Sequence, residues 1–325
     1  MSGFFTAFLE MFDTATISSI VAGASALMFA TMGETISEKA GVINLSVDGS
    51  MMLAALAGFV IAFETDVVWL GFPAAAAVGM AVALLIAFSN IKLGLNQIAV
   101  GFVLFALSTE LSRFLGNSYV GRPPVGVPAW DIPGLSSIPF FGPVLFDHNL
   151  VVYLSYLTVI ATYLLMYRTR KGLEMQGIGE RPEAAHARGI PVNKLRYFYT
   201  ALGGALIGIG GAAFSLDVKL GWSDRPTRNL GWIVLAIVIF GGWHPLRAAI
   251  GVLLFGALQA FAINLIPEFP SLSQVLPSIP FPAMILALVV VNWKALLKWL
   301  DRYPFLRAIL RSDPPTAIGT AFEVD

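Results

Sequence analysis

The stretch VVWLGFPAAAAVGMAVALLIAFS occupies residues 67–89 and contains no Asp, Glu, Lys or Arg. About 20 consecutive apolar residues form a helix long enough to cross a bilayer, so this stretch predicts a membrane-spanning helix. The whole chain has the same character, because 57% of its 325 residues are hydrophobic and only 12% are charged. Average soluble domains are about 25% charged, which they need to cover their surface. The sequence therefore predicts an all-α, polytopic transmembrane helix bundle.

Other apolar stretches predict further spans, and the total is about nine, within a range of eight to ten. A β-barrel is not indicated, because apolar and polar residues do not alternate. We expect residues 1–297 to form one transmembrane domain. Residues 298–325 are interpreted as an amphipathic segment and a disordered tail. The predicted spans are 14–33, 46–63, 67–89, 95–112, 149–167, 196–218, 230–244, 247–266 and 279–297.

The distribution of basic residues predicts the orientation of the chain, because cytoplasmic loops carry an excess of Lys and Arg. Two basic clusters are separated by four predicted spans and so share one side, which is predicted to be cytoplasmic. Counting back five spans from residue 168 places the N-terminus outside and the C-terminus in the cytoplasm. The clusters comprise Arg168, Arg170, Lys171, Arg181, Arg188, Lys194 and Arg196, and then Lys294, Lys298, Arg302, Arg307 and Arg311.

Composition and motifs exclude several classes of function. The chain has no Cys, so it has no thiolate metal site and no thiol nucleophile. Its formal net charge is +0, which gives no electrostatic reason to expect nucleic-acid binding. The phosphate-binding pattern Gly-x4-Gly-Lys-Ser/Thr is missing from the sequence, so any ATP hydrolysis is expected in another chain. His186 and His244 lack ligand spacing, and we predict no metal site and no catalytic residues.

Two predicted loops are too long to be simple connections. The outside loop 113–148 is rich in Pro and Gly, which favours turns; it is either a stiff connector or a docking ledge for an external partner. The inside loop 168–195 is predicted to hold a short helix. Pro182 suits the first turn of that helix, Glu183 is favourable at its positive end, and Gly189 can end it in a left-handed conformation.

Three motifs resemble those of ABC importer permeases, in the branch that serves ribose, branched-chain amino acids and nucleosides. The coupling-loop signature is matched by Glu180, Pro182, Glu183, Ala184, Ala185, Gly189 and Ile190. A second motif runs from Gly33-Glu34 through Asn44 to Asp48-Gly49, and nucleoside-type permeases usually have Glu where this chain has Asp48. The third comprises Tyr199-(x)3-Gly203-Gly204 and the stretch Gly241-Gly242-Trp243-His244-Pro245.

The resemblance implies a permease subunit of an importer for a nucleoside or a related small polar solute. It implies cytoplasmic ATPase subunits that bind the coupling loop and use ATP and Mg, an external solute-binding protein or lipoprotein, and a second permease chain, which is plausibly different. It also implies a bacterial or archaeal plasma membrane. Ribose-like sugars and branched-chain amino acids are the alternative substrates, and an ion-coupled secondary transporter is the competing class.

Polar side chains within apolar helices are candidates for the translocation path, since a nucleoside offers hydroxyls and a flat ring. For Asn96, Gln97 and Gln259 the alternative is a hydrogen bond between helices, and for Asp48 it is a bond to exposed backbone at a broken helix. Glycines four apart on one helix face are interpreted as helix-packing positions. The candidate path residues are Asn44, Asp48, Asn96, Gln97 and Gln259, and the packing residues are Gly203, Gly204, Gly208 and Gly211.

Overall fold

A computed structural model describes residues 13–130, 134–136, 138–223, 229–291, 293, 314–320 and 322. Within these ranges the protein is built from helices, with one isolated β-bridge between Ala129 and Asn149. The predicted all-α class is confirmed. The α-helices are α1 Thr14–Lys39, α2 Val47–Thr65, α3 Val68–Ile91, α4 Gln97–Gly116, α5 Leu150–Arg168, α6 Arg170–Glu180, α7 Pro182–Ala187, α8 Val192–Ala213, α9 Leu230–Gly241, α10 Pro245–Asn264 and α11 Pro280–Val291.

Seven of the described helices are long and apolar enough to cross a membrane. They are α1 to α5, α8 together with the π-helical turn Phe214–Val218 that extends it, and α10. Each corresponds to one predicted span. The remaining two predicted spans fall on α9, which covers 12 residues, and on α11, which ends where the described range 229–291 ends. The 12 residues of α9 extend about 18 Å, well short of a hydrocarbon core about 30 Å thick.

Helix α8 lies at the centre of the bundle and packs against α1, α2 and α3 through glycines. A Cβ atom at Gly203 would meet the Gly33 carbonyl of α1, and one at Gly208 would meet the Ala75 carbonyl of α3. Gly204 approaches α3 in the same way, and Gly211 approaches α2. The glycines therefore allow backbones to pass at distances that a side chain would prevent.

The bundle has two ends, which are identified by the residues that meet there. At the end that we call the coupling end, the backbone of Gly179 lies directly against the Lys39 carbonyl at the end of α1. The Trp243 indole donates a hydrogen bond to Glu38 at this end, and His244 stacks on Tyr167 at the end of α5. At the opposite end, the start of α1 lies close to Val218 and to the segment before α11.

The structure corrects two expectations about loops. The inside loop contains two helices, α6 and α7, and not one. Residues 314–320 and 322 of the expected disordered tail are packed against the coupling end, where Pro315, Ala317 and Phe322 are buried. The predicted amphipathic segment 298–311 lies outside the described residues.

Candidate coupling site and translocation path

The turn between α1 and α2 is held by buried polar groups. The backbone N–H of Asn44 donates to Glu34 Oε1 at 3.0 Å. The Asn44 Oδ1 in turn accepts the Ser46 N–H at 3.0 Å and the Ser46 hydroxyl at 2.6 Å. Because Asn44 is fully enclosed, its side chain organises the start of α2. The sequence predicted Asn44 as a residue of the translocation path, and these contacts give it a structural role at the start of α2.

Gln97 and Asn96 fix the neighbouring turn between α3 and α4. Gln97 Oε1 accepts the Ile43 N–H at 2.8 Å, and its amide donates to Asn90 Oδ1 at 2.8 Å. The Asn96 side chain caps α4 by accepting the N–H groups of the second and third following residues, at 2.9 and 3.3 Å. Both residues therefore satisfy backbone groups at a helix start, where such groups lack partners within the helix.

Two acidic side chains hold the ends of α9. Asp48 Oδ1 accepts the Gly231 N–H at 2.9 Å, near the start of α9. Beyond its other end, Glu38 accepts the Trp243 indole N–H. The pairing of Glu38 with Trp243 was not predicted, because the two residues are 205 positions apart and neither carries a local signal.

A cavity of about 490 Å³ extends from the opposite end into the bundle. Its wall on α1 runs from Ser19 to Leu27, which is a depth of about 12 Å at the helical rise. Gln259 of α10 is the predicted path residue that lines it. Phe214 and Phe281 add aromatic surface, and Lys219 adds a cation. The cavity thus combines apolar faces with a few polar groups, as small-molecule sites do.

The coupling segment, which we define as α6 and α7 with residues up to Ile190, has firm supports. Thr169 caps α6 through the Gly172 N–H at 3.0 Å, and the Tyr199 hydroxyl of α8 donates to the Lys171 carbonyl at 2.9 Å. Gln176 donates to the Met166 carbonyl at 2.7 Å, which ties α6 to α5. Helix α6 had not been predicted, and its three glycines weaken any helical signal.

Helix α7 begins at Pro182 and ends as the sequence predicted. Gly189 has a φ of +80°, and its N–H donates to the His186 carbonyl at 2.8 Å. The Ile190 N–H donates to the Ala185 carbonyl at 3.1 Å, which completes a left-handed cap. Glu183 is exposed, and Ala185 is buried against the bundle.

A groove of about 480 Å³ opens on the coupling segment. Its walls include Leu173 and Glu180 of α6, Ala184 of α7 and Arg188. Leu173 is 66% exposed, so the groove offers apolar surface beside charged side chains. Such an apolar surface with a charged rim can receive a side chain from another protein.

His244 lies between α9 and α10 at the coupling end. Its ring stacks on Tyr167 at a centroid distance of 5.0 Å, which joins this turn to the end of α5.

The seven long apolar helices are those of a multi-pass membrane protein. Residues 16–288 match the family described as "Branched-chain amino acid transport system / permease component", and the chain belongs to this family.

Similar proteins are named as ABC transporter permeases. A putative glucose ABC transporter permease protein of Haloferax volcanii is 37% identical over 92% of this chain and 90% of that protein. A nucleoside ABC transporter permease protein of Lactococcus lactis is 27% identical, over 90% of this chain and 96% of its own length. A guanosine ABC transporter permease protein of Bacillus subtilis is 29% identical, over 82% and 88%. No solved structure matches the chain. This chain is thus an ABC transporter permease component and not itself an enzyme.

Proposed function

We propose that this chain forms part of the translocation path of an ABC importer for a neutral, hydroxyl-rich solute, with a nucleoside as the first candidate. The observation that carries the proposal is the cavity, whose lining combines the polar residues Gln259 and Ser19 with the aromatic rings of Phe214 and Phe281. A nucleoside needs amide and hydroxyl partners together with an apolar surface for its base. The relatives named for nucleoside and guanosine transport are similar to this chain over most of its length.

Glucose is the second candidate, because the relative with 37% identity is named as a putative glucose permease. A hexose has the same need for amide and hydroxyl partners. It differs from a nucleoside in lacking a flat base, so the two solutes test how far the aromatic surface matters.

We further propose that cytoplasmic ATPase subunits bind the groove of the coupling segment and that they alone use ATP and Mg. An external solute-binding protein or lipoprotein would deliver the solute at the opposite end. Two nucleoside permease proteins of Lactococcus lactis are both similar to this chain, which supports a partnership between two different permease chains. The membrane would be a bacterial or archaeal plasma membrane.

Nine crossings, with the N-terminus outside, are also part of the proposal. The contact of Trp243 with Glu38 supports a return of the chain to the coupling end after α8, even though α9 is short. Helix α9 would then cross the inner part of the membrane only, beginning beside Asp48.

The test is uptake of radiolabelled guanosine and glucose by source cells that lack this chain. We expect uptake of one solute to fall on deletion and to return with the wild-type gene. We expect Gln259→Leu to reduce that uptake about 5-fold, since a hydrogen bond worth about 1 kcal/mol is lost. The matched control is Asn264→Leu, on the same helix but outside the cavity wall. Unchanged uptake of both solutes on deletion, in cells without a redundant system, would contradict the assigned solute class.

A further inference from the structure

The chain's own C-terminal residues are bound to the coupling segment. The N–H and the hydroxyl of Thr316 both donate to Glu180 Oε2, at 3.1 and 2.8 Å. The Ala317 N–H donates to the Gly179 carbonyl at 2.9 Å. These three bonds join the segment to the last turn of α6, whose carbonyl groups lack partners within that helix.

The same segment also binds the turn between α1 and α2. The Gly319 N–H donates to the Gly41 carbonyl at 3.0 Å. The buried guanidinium of Arg196 donates to the Thr320 carbonyl at 2.8 Å. Gly319 has a φ of +75° and lies against the Ile43 side chain. The segment therefore contacts both α6 and the turn between α1 and α2, which are far apart in the sequence.

An apolar anchor completes the contact. Phe322 is 7% exposed and belongs to the same buried cluster as Ile36 of α1, Ile178 of α6 and Ala185 of α7. Its ring lies 5.6 Å from the His186 ring, measured between centroids. Pro315 and Ala317 are buried as well. Polar and apolar contacts together indicate a formed binding site for the described residues 314–320 and 322, which we call the C-terminal strap.

The strap leaves the groove of the coupling segment open. Glu180 belongs to both surfaces, because it lines the groove and accepts two hydrogen bonds from Thr316. On its other side, the strap contacts the turn at Gly41 and Ile43. Ile43 donates to Gln97, and the next residue, Asn44, donates to Glu34. A continuous series of contacts thus joins the groove to the start of α2.

We propose that the C-terminal strap transmits movement of α6 and α7 to the turn 40–44 and so to the start of α2. The proposal rests on the proposed function, because it requires an ATPase that displaces the coupling segment. Coupling between distant sites needs a physical link that keeps its contacts while its ends move. The strap provides this link through backbone hydrogen bonds at both ends and the Phe322 anchor. Without the strap, an ATPase would still bind the groove, but its movement would reach α2 less effectively.

The first experiment compares Phe322→Asp with the conservative Phe322→Leu in the assembled importer. We expect Phe322→Asp to keep its ATPase subunits and its rate of ATP hydrolysis. Its solute uptake per ATP hydrolysed should fall about 10-fold, within the range typical of coupling between sites. Phe322→Leu should stay close to the wild-type ratio, because it keeps the apolar contact. An unchanged ratio in Phe322→Asp would overturn the proposal, and so would loss of the ATPase subunits.

The second experiment does not depend on the stability of Phe322→Asp. The chain has no Cys, so a Thr316→Cys/Glu180→Cys variant contains one pair of thiols. The Thr316 hydroxyl contacts the Glu180 carboxylate, and because Cys is shorter than Glu, a short bis-methanethiosulfonate reagent serves as the linker; we expect it to cross-link the two thiols in native membranes. Thr316→Cys with Arg188→Cys is the control, since Arg188 lies at the far end of α7. No cross-link between positions 316 and 180, or equal cross-linking in the control, would overturn the proposal.

Uptake by the cross-linked variant decides whether the strap stays bound during transport. We expect the cross-linked and reduced forms to differ by less than about 2-fold, because a permanent link loses little when it is made covalent. Loss of uptake on cross-linking, restored by reduction, would mean that the strap must leave the coupling segment, which contradicts the proposal. Failure of the proposed function can be told apart from failure of the strap proposal. In the first case the wild-type chain itself would bind no ATPase subunits.

Discussion

Gly208 lies where α8 and α3 touch, and a single methyl group there has no space. A Cβ atom at this position would meet the Ala75 carbonyl and would lie 3.0 Å from the Ala76 Cα. Because both are backbone atoms of a packed helix, they cannot turn away. We expect Gly208→Ala to lower the free energy of unfolding by about 1–3 kcal/mol, as overpacking does. The thermal unfolding midpoint in detergent measures this change.

Gly23→Ala is the matched control, because it also lies in a long apolar helix. A Cβ atom at Gly23 has no atom within 4 Å among the described residues. Alanine is favoured over glycine within helices by about 1 kcal/mol, so this variant should be neutral or slightly stabilised. Equal destabilisation by the two substitutions would show that glycine itself, and not the close approach, matters at position 208.

Sequence reasoning identified polar residues in apolar helices but could not separate their roles. Asn44, Gln97 and Asp48 hold backbone N–H groups, whereas Gln259 lines a cavity. A buried helix start must find partners for its free N–H groups, and amide or carboxylate side chains supply them. Which residue has which role depends on distant backbone positions, such as Gly231 beside Asp48. Those positions leave no mark in the local sequence.

The coupling segment offers a direct test of ATPase binding. Ala184 lines the groove, and a large ring at this position would fill the space that a partner side chain needs. We therefore expect Ala184→Trp to reduce co-purification of the ATPase subunits about 10-fold or more, since a clash in an interface core costs well over 1 kcal/mol. Affinity purification of the tagged permease, followed by quantification of the bound ATPase, measures the effect.

Ala187→Trp carries the same substitution in the same helix, at an exposed residue outside the groove wall. It should keep the ATPase subunits. Comparable loss in both variants would indicate general damage to α7, and normal binding by Ala184→Trp would contradict the assignment of this groove to the ATPase.

Apolar length predicted the seven long helices, because each must satisfy its own backbone hydrogen bonds within lipid. Local capping chemistry also predicted α7, through Pro182 and Gly189. The same reasoning missed α6, where packing and the Thr169 cap stabilise a glycine-rich sequence. It was wrong about the tail, since a Pro- and Gly-containing stretch looks disordered until its binding site on α6 is known.

Contacts at the two ends of the bundle restrict how often the chain can cross the membrane. The C-terminal strap touches the coupling segment, so both lie on one side and an even number of crossings separates them. Helices α8 and α10 supply two crossings. Because the total must be even, the segments that contain α9 and α11 either both cross the membrane or both do not. The contact between Trp243 and Glu38 favours crossing, because it places the end of α9 at the coupling end.

The segment between α10 and α11 distinguishes these two arrangements. With nine crossings, Ser273 faces the outside; with seven, it faces the cytoplasm. Because the chain has no Cys, Ser273→Cys is a single reactive site, and Ser273 is exposed. We expect a membrane-impermeant maleimide to label it in intact cells. Asp66→Cys is the reference for an outside position and Gly177→Cys the reference for a cytoplasmic one. Both arrangements place Asp66 outside and Gly177 in the cytoplasm. Labelling of Ser273→Cys only after permeabilisation, together with Gly177→Cys, would establish seven crossings, and α9 and α11 would then not span the membrane.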